Sequence, residues 1–258
     1  MSLTSAPNRE ILGHMESFDP QKPYDALPLL PPDSAKTDTV AVLRQENKTV
    51  SALAELKGLA NIIPNQSILI NAIVLQEAKD SSEIENIITT KDELYKAVSS
   101  TTGKYDPAIK EVMFYREALY EGFKRIRERN VLSMNDIISL QQILVRNNAG
   151  IRKLPGTALA NDKTGEIIYT PPQSEEAINA FESIHPFYDG NGRTGRIVNI
   201  LYLLLKQYLD IPILYLSSYI IKNKALYYKL LLDVTKDGKW EDWIIYILKG
   251  VEETSRET

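Results

Sequence analysis

Apolar residues recur at helical spacing from Thr39 onward, and Val40, Leu43, Leu53, Leu56 and Leu59 predict one long helix that ends before Pro64. Helices are expected next over residues 67–78 and 81–88. Thr90 and Glu93 have the spacing of a capping box for a helix over 93–98. Asp106 is placed to cap a long amphipathic helix to about residue 129, and Ser133 to start another through 146. Residues 147–172 break this pattern: two short β-prone runs, 157–159 and 167–169, flank a turn at 161–165 and read as a hairpin. Ile197, Val198, Ile200, Leu201 and Leu203 to Leu205 mark a largely buried helix. A further helix over 218–234 carries Tyr227 and Tyr228, and a last one over 240–253 puts Trp243, Ile244 and Ile247 on an apolar face. The expected fold class is all-α, a helical bundle with one small β-hairpin.

Residues 1–36 carry Pro7, Pro20, Pro23, Pro28, Pro31 and Pro32, a density that argues for an irregular arm, with 24–29 apolar enough to dock on the body. Residues 37–100 form an N-terminal helical region, and 101–258 the rest of the bundle. At 258 residues, 43% hydrophobic and 25% charged, the chain can bury a substantial core and lies near the size limit of one extended domain. It has no cysteine, which excludes disulfides, thiolate metal sites and a cysteine nucleophile. A net charge of −4 gives no argument for binding nucleic acid or an anionic membrane. With no signal pattern at the N-terminus and no stretch of membrane-spanning length, the expected compartment is the cytoplasm.

The densest chemistry lies in residues 185–196, His-Pro-Phe-Tyr-Asp-Gly-Asn-Gly-Arg-Thr-Gly-Arg. Gly190, Asn191 and Gly192 fall where a loop becomes a helix, and glycine lets the backbone approach an anion closely and adopt positive φ. The buried helix that follows offers unpaired N–H groups and the positive end of a dipole, a seat for a di- or triphosphate. Arg193 and Arg196, three apart, share one face of the first turn, where planar forks can grip successive phosphates. Asp189 is the only carboxylate in the run, and a carboxylate beside phosphates is the usual holder of Mg²⁺. His185 can take a proton from an attacking hydroxyl near neutral pH. The other histidine, His14, lies in the proline-rich arm without ligand-like neighbours. Phe187 reads as a core anchor for the loop, and Tyr188 and Thr194 as spacers.

This run resembles the full catalytic motif of the Fic family, whose members with a complete motif are mostly protein adenylyltransferases. The resemblance implies a Fic fold and AMP transfer from ATP to a hydroxyl side chain of a target protein, with ATP and Mg²⁺ required. By motif position, His185 deprotonates the target hydroxyl and Asp189 holds Mg²⁺. Gly190 to Arg196, including Thr194 and Gly195, form the ATP-binding stretch: Asn191 and the Gly190–Gly192 amides take the α- and β-phosphates, Arg193 the leaving pyrophosphate and Arg196 the γ-phosphate. Upstream, Ser81, Glu85 and Asn86 are similar to the inhibitory pattern Ser/Thr-x-x-x-Glu-Gly/Asn of autoinhibited Fic proteins, which implies an inhibitory helix over about 80–88 whose Glu85 pairs with Arg196. The same likeness makes the hairpin, within about 150–172, the flap that docks the target protein, and places Tyr227 and Tyr228 against the adenine.

Two departures from the family stand in the sequence. Only residues 173–184 separate Pro172 from His185, fewer than relatives usually carry. Relatives with this N-terminal region also often continue into a winged-helix domain beyond the equivalent of Thr258, and these residues imply no nucleic-acid contact. No membrane partner is expected, and the oligomeric state stays open, a homodimer included. Two other functions are compatible with the site: removal of AMP by a water that Glu85 positions, or transfer of another phosphate-bearing group; and a non-catalytic, ATP-sensing regulator.

Overall fold

The structure, a computed structural model, describes residues 18–23, 32–99, 105–152, 159–160, 164–170 and 186–258. A single turn, α1 (Ser34–Thr37), precedes α2 (Val40–Asn61), which the Thr39 hydroxyl caps by accepting from Val42 N–H at 3.2 Å. The 24–29 docking segment lies outside the described residues. Residues 18–23 rest on the other end of the sequence's hairpin region: Pro23 bridges to Thr170, whose hydroxyl donates to the Pro20 carbonyl at 2.7 Å.

α3 (Gln66–Ile84) runs unbroken through the stretch expected to divide it into two helices. Lys79 continues the helix by pairing with Asp80 at 3.2 Å and with Glu83, one turn on, at 2.6 Å. The helix also stops four residues earlier than the expected inhibitory helix over 80–88, because Asn86 adopts φ 62°. Ile87 N–H then donates to the Ser82 carbonyl at 3.1 Å and Asn86 N–H to the Glu83 carbonyl at 3.0 Å, the two bonds of a Schellman stop. The Gly/Asn position of the inhibitory pattern is thus the left-handed residue that ends the helix immediately after Glu85.

α4 (Lys91–Ser99) begins at the expected capping box: Thr90 N–H donates to Glu93 at 3.0 Å, and Glu93 N–H to the Thr90 hydroxyl at 3.3 Å. α5 (Pro107–Arg129) and α6 (Met134–Val145) start at Asp106 and Ser133 as expected. Strands β1 (Leu159–Ala160) and β2 (Ile167–Tyr169) pair antiparallel.

α7 (Asn191–Leu205) is the buried helix after the motif. The helix expected over 218–234 is two, α8 (Leu216–Lys222) and α9 (Lys224–Asp237), broken at Asn223, whose side chain donates back to the Tyr219 carbonyl at 2.9 Å. α10 (Trp240–Glu257) ends the chain.

α10 packs along α2, where Gln45 donates to Glu252 at 2.7 Å and Thr49 to the Leu248 carbonyl at 2.9 Å. α3 packs on α5 and α8, and α7 lies against α5 and α6. Among the described residues one hydrophobic cluster runs from Leu53 in α2 to Val251 in α10, and a smaller one joins Tyr219, Leu230 and Tyr246. Among the described residues no helix is long and apolar enough to cross a membrane.

Candidate functional site

The site is built where the C-terminus of α3 meets the N-terminus of α7. Gly190, at φ 77°, turns the chain into α7, a backbone that a residue with a Cβ adopts only under strain. The preceding loop is pinned from three directions. Phe187 N–H donates to Asn191 Oδ1 at 2.8 Å, and Asn191 Nδ2 returns a bond to the Phe187 carbonyl at 2.7 Å. Gln141 of α6 donates to the Asp189 carbonyl at 3.1 Å, and Arg152 N–H to the Pro186 carbonyl at 2.8 Å. The Phe187 ring is buried, as its anchoring role requires. The first N–H groups of α7 have no acceptor within the helix.

Both arginines are buried, with relative exposures of 4% for Arg193 and 2% for Arg196, which rules out decoration of a solvated face. Arg193 donates from Nη1 to Glu111 of α5 at 2.5 Å. Arg196 is held by the end of α3: Nε donates to Ser81 Oγ at 2.7 Å, Nη2 to the Ser81 carbonyl at 2.9 Å and to Glu85 Oε1 at 2.8 Å. Its Nη1 is buried and makes no well-formed hydrogen bond among the described residues, although the Tyr227 hydroxyl lies beside the guanidinium; Arg193 Nε likewise makes none. Glu85 sits directly over Gly192: a Cβ there would collide with Glu85 Oε1 and come within 3.1 Å of Arg196 Nη1. The carboxylate therefore occupies the space above the α7 N-terminus that the sequence assigned to phosphate.

The other expected residues are placed as follows. Asp189 is 72% exposed at its side chain, and its Oδ1 accepts from Gly190 N–H at 2.6 Å. Its second oxygen has no partner among the described residues, where no group of three or more acidic or histidine side chains is arranged to hold a metal ion either. One carboxylate beside an anion seat fits Mg²⁺, which takes few protein oxygens and fills its shell with phosphate and water. Thr194 is buried and Gly195 exposed. The Asn86 side chain accepts from Lys224 Nζ at 3.1 Å, and Tyr228 donates to the Ile84 carbonyl at 3.3 Å, so α9 clasps the end of α3. Tyr227 packs edge-on against Tyr228 and beside Trp243, each at 5.3 Å between ring centres; burial pushes its phenol up, with the Arg196 charge pulling the other way. His185 and residues 173–184 lie outside the described residues.

Sequence reasoning missed four side chains that support the site. Glu111 and Gln141 sit on amphipathic helices, where they read as surface polar residues. Glu77 and Ser217 form a buried pair: Ser217 donates to Glu77 from its N–H at 2.8 Å and its hydroxyl at 2.6 Å, and Tyr115 from α5 donates at 3.1 Å. Burial pushes the Glu77 carboxyl up to about 7 against these bonds and the Arg196 charge.

The fold is a helical bundle that presents a glycine-bounded helix N-terminus, two buried guanidinium groups and a carboxylate at one place. The Fic/DOC family N-terminal model matches residues 43–124, which include α3 and its Glu85, and the Fic/DOC family model matches residues 173–203, which span the motif. A crystal structure of a Fic family protein from Desulfovibrio desulfuricans G20 has the same fold: the TM-score is 0.62, with 85% of this chain and 74% of that one covered at 19% identity. Two Fic/DOC family models thus match the parts of the chain that build the site, and the fold is that of a Fic family protein.

Proposed function

We propose that the protein is an adenylyltransferase that moves AMP from Mg-ATP onto a hydroxyl side chain of a target protein, and that Glu85 restrains it by holding Arg196. The observation that carries this reading is the buried Arg196 fork, closed by Ser81 and Glu85 and still carrying an N–H without a well-formed hydrogen bond at the α7 N-terminus. A buried donor left unpaired costs about 1–3 kcal/mol, and a phosphate oxygen would relieve it. The α7 N–H groups would hold the α- and β-phosphates; Asn191 contributes its main chain there, because its side chain is committed to Phe187. Asp189 would hold Mg²⁺, which neutralises phosphate charge when bound.

In the reaction, the target hydroxyl oxygen bonds to the α-phosphorus as its proton passes to His185. The bond from that phosphorus to the oxygen bridging to the β-phosphate breaks, and pyrophosphate leaves against Arg193. Positioning and charge stabilisation supply most of the rate. Tyr227 and Tyr228 border the region for the adenine, and the β1–β2 edge would align the target segment by strand addition. A protein working on Mg-ATP, without cysteine, fits a cytoplasmic setting. The test is protein-bound label on the Glu85→Gly variant from ATP carrying the tracer at the α- or at the γ-phosphate. Label only from the α-position is expected; label only from the γ-position would replace AMP transfer with phosphoryl transfer.

A further inference from the structure

Glu77, Ser81 and Glu85 occupy successive i, i+4 positions on one face of α3, and the second and third of them contact Arg196 directly. Glu77 lies one turn deeper, fully buried, and forms no ion pair of its own among the described residues. All its hydrogen bonds come from neutral donors, the Ser217 N–H and hydroxyl and the Tyr115 hydroxyl, while the cation acting on it is Arg196. A glutamine could accept from the Ser217 N–H with its one oxygen and turn its NH2 to the Ser217 and Tyr115 hydroxyls, which accept as well as donate, at less desolvation cost, so the charge itself acts chiefly through Arg196.

We infer that Glu77 is a positioning residue of the nucleotide site, a buried counter-charge behind Arg196 that sets how strongly this guanidinium holds an anion on its other side. The inference rests on the reading of Arg196 as a phosphate ligand. When Glu77 is neutral, the Arg196 charge is available to Glu85 or to phosphate; when Glu77 is ionised, it shares that charge and loosens either anion. The groups around it are Tyr115 from α5, Arg196 from α7, Tyr215 and Ser217 at the start of α8, and Asp80 and Glu85 on α3 itself. Tyr115 and Tyr215 are both held well above the ordinary phenol range, chiefly by burial, so neither loses its proton near neutrality. With its carboxyl pushed up to about 7, Glu77 is the member of this group that changes charge there.

The test is calorimetric binding of Mg-ATP at several pH values to two full-length variants, Glu85→Gly and Glu77→Gln/Glu85→Gly. Removing Glu85 leaves phosphate and Glu77 as the anions that act on Arg196, and the ratio of the two affinities cancels the titration of the nucleotide. Glu85→Gly should bind more weakly as pH rises through neutrality, falling up to about tenfold below the double variant at high pH and converging with it at low pH. Parallel profiles would overturn the inference while leaving the nucleotide site standing; no binding by either variant would overturn both. If the double variant does not fold, infrared titration of the Glu77 carboxyl in Glu85→Gly serves instead. Bound Mg-ATP should raise its midpoint, and an unmoved midpoint would refute the coupling.

Discussion

Replacing Glu85 with glycine should raise the affinity for Mg-ATP by an amount that follows from the pair it breaks. Glu85 Oε1 lies 2.8 Å from Arg196 Nη2, with 2% of the arginine side chain and 36% of the glutamate side chain exposed. A Coulomb figure at that separation with an effective dielectric near 20 would be several kcal/mol. More than a third of Glu85 faces water, so screening reduces the net worth to about 1–3 kcal/mol. On the proposed function ATP has to displace this contact to reach Arg196, and its removal should tighten binding by about 5- to 150-fold. The backbone tolerates the change: Glu85 has φ −90° and ψ 20°, and the left-handed turn stays on Asn86. Arg196 keeps both bonds to Ser81, so the unliganded variant should lose only about 1–3 kcal/mol of stability, which nucleotide restores. Glu85→Gln, of the same length but uncharged, should fall between the two. Calorimetry of wild type and both variants is the assay, and equal affinities across the three would refute the displacement argument.

Asp189→Asn should keep the bond accepted from Gly190 N–H but raise the Mg²⁺ concentration needed for nucleotide binding, as a magnesium titration at fixed ATP would reveal. Gly192→Ala should expel the Glu85 carboxylate and crowd Arg196 Nη1 as well, weakening ATP binding by about tenfold even in the Glu85→Gly background. Glu77 predicts a stability profile: its carboxyl is raised from 4.5 to about 7 in the folded protein, so its contribution is fully present below about pH 4.5 and is lost as pH rises towards 7. Compared with Glu77→Gln in thermal melts, wild type should lose about 3 kcal/mol of stability across that interval; a constant difference would show that Glu77 does not titrate there.

Much of the scaffold was legible because local chemistry marks its boundaries. Thr39, Thr90, Asp106 and Ser133 each accept the N–H bond that their residue type predicts. The misreading of α3 has a physical cause. Glu77, Asp80, Ser81 and Ser82 interrupt the apolar pattern yet are buried, because that face of the helix meets hydrogen-bonding partners, the Arg196 guanidinium of α7 and the Tyr215 hydroxyl and Ser217 N–H at the start of α8. Periodicity assigns polar residues to water, so it fails where a helix buries a polar face to build a site. The break at Asn223 was missed because neither glycine nor proline announces it; a side-chain bond to the Tyr219 carbonyl does the work. The motif's chemistry could be read from residue types at fixed spacing, whereas Glu85 as its partner comes from the resemblance to the inhibitory pattern. Glu111, Gln141 and Ser217 could not, since they reach the site across long sequence separations and only the packing of α5, α6 and α8 brings them there.

The decisive measurement is the rate of AMP transfer from α-labelled ATP in wild type, Glu85→Gly and Glu85→Gly/His185→Ala. Wild type should take up little label, Glu85→Gly at least about tenfold more, and replacing His185 as well should abolish that gain. Equal labelling of wild type and Glu85→Gly, or labelling that survives without His185, would contradict the proposed function.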